Sequence, residues 1–246
     1  MIDWLRRRHD EGEPRVTVAG RDLPLAIRHH PRATRLTMRL APDGSEVRIT
    51  LPRWGRTLDA LVFVRNRTDW LESQLAAVPQ ASPPVPGGTL RYRGAELAIA
   101  WDARLPRRPA LADGALRLGG PAETLPARLR RWLEGEALRL MTEDLAHYCA
   151  RAARPVPELR LSRAQRRWGS CSGPRDGEHS IRLNWRLVQA PDAVRRSVVA
   201  HEVAHLVHFD HSPAFRALLD ALYEGDLAEA DGWLRLEGRS LYAAFG

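Results

Sequence analysis

Lysine is absent from this 246-residue chain, so every one of its 38 Lys-or-Arg cations is an arginine. Codon usage produces such a bias as readily as function does, so the absence excludes nothing by itself. Cysteine is almost absent. Cys149 and Cys171 are too few to staple a chain of this length, which excludes a disulfide scaffold and predicts free thiols in a cytoplasmic protein. No apolar run approaches the ~20 residues that a bilayer span requires. The opening segment MIDWLRRRHDEGEP has basic residues with no apolar stretch behind them, so it does not read as a signal peptide. Hydrophobic residues make up 44% and charged residues 28%. That balance excludes a mostly disordered chain and a collagen-like repeat, and it suits an ordinary globular protein with room for a substantial core.

Acidic residues number 30, leaving a net charge of +8. The excess is uneven: residues 1–126 carry net +6 and residues 127–246 net +2. An Arg-rich front half can attract a nucleotide, a nucleic acid or another acidic partner, but no nucleic-acid motif accompanies the charge. Solvated arginines on outward strand positions explain it equally well.

The segment RATRLTMRLAPDGSEVRITLP alternates apolar and polar residues, and Pro42-Asp43-Gly44 interrupts it as a turn. A β-hairpin is expected there. Residues 57–78 switch to helical period, with Leu58, Leu61, Val62, Val64, Leu71 and Leu75 as the apolar stripe. PQASPPVPGG (79–88) reads as a linker, and short strands follow over 89–118. A long helix is expected over 124–151, its apolar side including Trp132, Leu138, Met141 and Tyr148. Strands at 158–162, 165–172 and 179–185 come next. Pro191 then opens a helix running to about Val207, and Ser212-Pro213 opens another as N-cap and first helical residue. The order predicts an α+β fold, with a β-rich region, one helix and a linker over 1–88 and a second domain over 89–246.

The chemistry is concentrated in VVAHEVAHLVHFDHSPAF. His201 and His205 are four residues apart, nearly one turn, so both imidazoles can reach one metal ion. Glu202 is turned by about 100° from His201 and flanks the ion, placed to take a proton from water. Two histidines and a glutamate so spaced are the zinc-protease pattern. A catalytic zinc needs a third protein ligand. His211, just before a chain reversal, is the foremost candidate; His208, Glu224 and Glu237 are the others. The preceding strands, RWGSCS and IRLNWRLV, can supply an edge against which an extended peptide lies. As plain structure, Trp168 and Trp185 are core residues there and Gly169 is a bulge. Tyr223, Arg235 and Tyr242 are the candidates for stabilising an oxyanion. Cys171 can in principle touch the metal, although a buried inert thiol is the simpler expectation.

Taken together, RHHPRATRLTMRLAPDGSEVRITLP, RWGSCS, IRLNWRLVQAP and HEVAHLVHFDHSPAF resemble the YgjP-like metallopeptidase family, small zincins similar to the WLM and SprT-type proteases. The matching pieces span about residues 16–220. The chain departs at Arg216, where the family has Trp after Phe215, and at Val203, where it often has leucine; neither touches an expected ligand. The resemblance implies a minimal zincin core behind the β-rich region, with a zinc ion held by His201, His205 and His211 and with Glu202 catalytic. It implies a peptide or protein substrate. Hydrolysis of a nucleoside triphosphate by the same metal-activated water is the alternative, and a basic nucleic-acid-binding module is a third reading. No membrane partner is expected, and nothing in the sequence speaks to oligomeric state.

Overall fold

The computed structural model describes residues 14–78, 80–175 and 178–245; the Arg6-Arg7-Arg8 run lies outside them. The architecture is α+β, with two compact units, Met1–Val78 and Pro79–Gly246. Among the described residues no helix is long and apolar enough to cross a membrane.

The first unit is a four-stranded sheet in the order β1-β2-β4-β3, covered by two helices. Its strands are β1 (Arg15–Val18), β2 (Arg21–His29), β3 (Thr37–Leu40) and β4 (Val47–Leu51). The expected hairpin forms: β3 and β4 pair antiparallel, Met38 opposite Ile49. Alternation places Val47, Ile49 and Leu51 in the core while Arg48 and Thr50 face outward. The helical stretch is two helices, α1 (Thr57–Arg65) and α2 (Thr68–Ala76). They break at Asn66-Arg67, where the Thr68 hydroxyl donates to the Arg65 carbonyl at 2.9 Å and competes with helix propagation. The break also changes the buried face. Ala60, Val64, Leu71 and Leu75 are buried, whereas Leu58 and Val62 are half exposed, contrary to the expected stripe.

The second unit begins with a sheet of order β5-β6-β8-β7, formed by β5 (Thr89–Tyr92), β6 (Ala95–Trp101), β7 (Ala110–Ala112) and β8 (Ala115–Leu118). Residues 80–88 are tied to this unit, since the Ile99 amide donates to Gly88 and the Ser82 amide to Ala243. The long helix α3 (Leu125–Arg151) runs through the core. It buries Leu125, Leu129, Leu133, Ala137, Met141, Leu145 and Tyr148, the three- and four-residue spacing of one helical face. Leu138, expected on that face, is exposed. Strands β9 (Glu158–Ser162), β10 (Gly169–Arg175) and β11 (Glu178–Asn184) form the last sheet, in the order β10-β11-β9. β11 is central, antiparallel to β10 and parallel to β9, so β10 is an edge strand. Three helices complete the unit: α4 (Asp192–Ala204), α5 (Pro213–Leu222) and α6 (Leu227–Glu237).

Candidate metal centre

α4 is enclosed on most of its surface. Val194, Val198, Val199, Ala200, Val203 and Ala204 are all buried. It is tied to α3 by a buried ion pair: the Arg195 Nε donates to Asp144 at 2.7 Å, and the guanidinium also reaches Asp192. With the helix held so firmly, His201 and His205 turn their rings to the half-open side.

α4 ends three residues earlier than its apolar period suggests. After Ala204 the backbone tightens, with the Leu206 amide donating to Val203 and the Val207 amide to Ala204. This tight turn brings the His208 carbonyl within 2.9 Å of the His205 Nδ1, which donates to it. That bond fixes the ring and leaves Nε2 outward, the arrangement common behind ligating histidines. His208 therefore acts through its backbone. The chain reverses through Asp210 to Ser212, which caps α5 as expected by accepting from the Phe215 amide at 3.3 Å.

The reversal carries His211 back over α4. Its Nε2 lies 3.3 Å from the His201 Nε2. One nitrogen from each of His201, His205 and His211 lies within 4.8 Å of the other two. Two nitrogens bound tetrahedrally at ~2.0–2.1 Å sit about 3.3 Å apart, so the His201–His211 spacing fits a shared zinc ion. Phe215, almost fully buried, packs on all three imidazoles, with ring centroids 4.5–5.0 Å away. Burial, reinforced by the two neighbouring imidazoles, depresses His201 to about 4, so it is neutral and able to ligate at ordinary pH.

Glu202 is buried beneath the edge strand. Burial pushes its carboxyl up to about 7, against the opposing pull of the Cys171 backbone N–H, which donates to it, and of the Arg167 charge. A carboxyl poised near neutrality is suited to exchanging protons with water. Gly169 makes this placement possible: a β-carbon there would come within 2.3 Å of the Glu202 Oε1. Gly169 is not a bulge. It pairs in register with Leu183, and the irregularity in β10 falls between Ser172 and Arg175. Neither the glycine's purpose, nor the Cys171 amide, nor the Phe215 floor is readable from spacing. Each depends on a contact between segments distant in sequence.

The other candidates lie elsewhere. Glu224 accepts from the Tyr148 hydroxyl at 2.9 Å and pairs with Arg196, and Glu237 lies 3.9 Å from Arg91. The Tyr223 hydroxyl donates to the Ala193 carbonyl, and the buried Tyr242 lies beside Asn184 and Ala164. Cys171 is not among the clustered ligands; burial, then the Glu202 charge, raises its thiol to about 11. Trp185 is core as expected; Trp168 is partly buried, packed against the core and lining the cleft beside the centre.

A family model described as "YgjP-like, metallopeptidase domain" matches residues 34–237. No curated protein and no solved structure matches the chain. The match spans most of the chain and includes both motifs of the centre, so the chain belongs to the YgjP-like metallopeptidase family.

Proposed function

From this membership, we propose that the protein is a zinc-dependent peptidase in which His201, His205 and His211 hold the ion and Glu202 is the general base. The observation that carries the proposal is the convergence of three imidazole nitrogens beside one buried carboxyl. Zinc, when bound, supplies a Lewis acid that polarises the scissile carbonyl and makes a nearby water easier to deprotonate. The chain's own residues do the rest. Glu202 takes the proton from the attacking water and hands it to the departing amine. The Cys171 amide holds the Glu202 carboxylate in position for both transfers. The free edge of β10 is the natural seat for an extended peptide, bound through its backbone. Catalysis belongs to 89–246, and the two unpaired cysteines fit a cytoplasmic setting.

The test has two parts. Metal content, measured by mass spectrometry on protein purified without added metal, should show one zinc in the wild type and a marked loss in His211→Ala. Glu202→Gln should retain zinc and lose at least ~100-fold in peptide turnover. Turnover that survives Glu202→Gln would rule out the general-base role.

A further inference from the structure

Beside His201 and Glu202 lies a cavity of about 330 Å³ that extends toward α6. Trp168, Val198, Leu219, Leu227 and Leu234 supply its apolar lining, alongside the polar Ser197, His201 and Glu202. The remaining group of note is Asp231, which also lines it. Leu227, Asp231 and Leu234 are spaced four and three residues apart on α6, so one helical face presents all three to the cleft. Asp231 is not spent on structure. The helix cap is Asp226, which accepts from the Ala228 and Glu229 amides at 2.7 and 3.0 Å. Asp231 is exposed and has no cationic partner among the described residues, in a chain with 38 arginines. Trp168 is held in place. A β-carbon at Gly238 would come within 2.9 Å of the Trp168 indole, and Tyr242 packs on it at 6.1 Å.

A cleft lined by apolar side chains and an indole, with the Asp231 carboxylate on its wall beyond Glu202, matches a specific shape of ligand. A lysine or arginine side chain lays its methylenes on apolar surface and carries its charge to the end. The cation is then attracted both by the carboxylate and by the indole face. We propose that this cavity receives a basic side chain from the substrate residue that flanks the scissile bond, with Asp231 as the specificity-determining acid. This inference rests on the peptidase reading above.

Two arms test it on the zinc-loaded full chain. In the first, two hydroxamates that differ only in side chain, arginine against norleucine, are titrated by calorimetry. The arginine form should bind about two- to fivefold tighter, the worth of an exposed ion pair. The ratio should fall to about one in Asp231→Asn and below one in Asp231→Arg. Because Asp231 is exposed and caps nothing, both variants should fold. In the second arm, cleavage sites in a proteome-derived peptide library are read by mass spectrometry. Lysine or arginine should be enriched beside the cut, and the enrichment should vanish in Asp231→Asn. Equal hydroxamate affinities in the wild type overturn the pocket assignment. So does cleavage with no basic preference, which leaves the peptidase intact. Arginine-selective hydroxamate binding with no library cleavage keeps the pocket and sinks the peptidase. Failure of both hydroxamates to bind overturns both.

Discussion

At the scale of single residues, the centre depends on a missing side chain. Gly169 carries no positive backbone angle; its value is the space that it leaves for Glu202. In Gly169→Ala the new methyl would overlap the carboxylate, which cannot shift without leaving the Cys171 amide. Peptide turnover should fall by at least ~10-fold, as expected when a catalytic group is displaced by about an ångström. Zinc content should stay at wild-type level, because His201, His205 and His211 are untouched. Parallel kinetics and metal analysis check this; loss of the metal would mean that the strand also positions the ligands. Phe215 plays a related part from below, giving three rings a common apolar floor.

Among the secondary elements, the orientation of α4 against α3 decides where His201 and His205 point. Arg195 and Asp144 are both buried and paired, and Arg196 on the next position reaches Glu224. Removing one partner of a buried pair leaves an uncompensated charge, at a cost of about 3–5 kcal/mol. Arg195→Ala should lose that much stability by urea unfolding, and a loss under ~1 kcal/mol would show that Asp144 finds other solvation. A lighter tie joins α3 to β5, where the Tyr92 hydroxyl donates to Glu136 at 2.7 Å. Hydrogen bonding from Arg139, and secondarily from Tyr92, holds the Glu136 carboxyl below its ordinary value. A carboxyl depressed in the folded state stabilises above its unfolded pKa, and that contribution disappears as pH falls through the folded value. Glu136→Gln should therefore cost ~0.5–1 kcal/mol at pH 7, with the difference from wild type closing as the pH falls from the ordinary carboxylate range through the depressed folded value. Denaturant midpoints across pH check it; a gap independent of pH would assign the effect to packing.

For the whole molecule, the two units carry separate hydrophobic clusters. One is built on β1–β4, α1 and α2; the other is built on α3, α4, α5 and the remaining sheets. Ligand binding stabilises only the folded unit that holds the site. Calorimetry of the full chain should resolve two transitions, and zinc should raise one of them. Leu71→Ala, at a fully buried position, should lower the other, by about 2–5 kcal/mol of stability. A single transition that responds to both zinc and Leu71→Ala would mean that the units unfold as one.

Sequence alone determined much of this. Period two and period 3.6 are local properties of neighbouring side chains, so the β3–β4 hairpin, α3 and the α5 start at Ser212-Pro213 were all legible. So was the histidine pair, since four residues make about one turn. His211 emerged as a ligand candidate because a reversal before a helix cap is also a local signal. Tertiary structure decided the rest. The break between α1 and α2 and the early end of α4 are marked by local hydrogen bonds, three residues apart, that the continuing apolar period conceals. Glu224 and Glu237 left the list because Tyr148, Arg196 and Arg91 engage them from distant segments. The close fit of Glu202 under Gly169, and the lining of one cleft by both Asp231 and Trp168, join residues more than thirty positions apart. Such contacts are set by how sheets and helices pack, and a linear pattern of residue types carries no record of that distance.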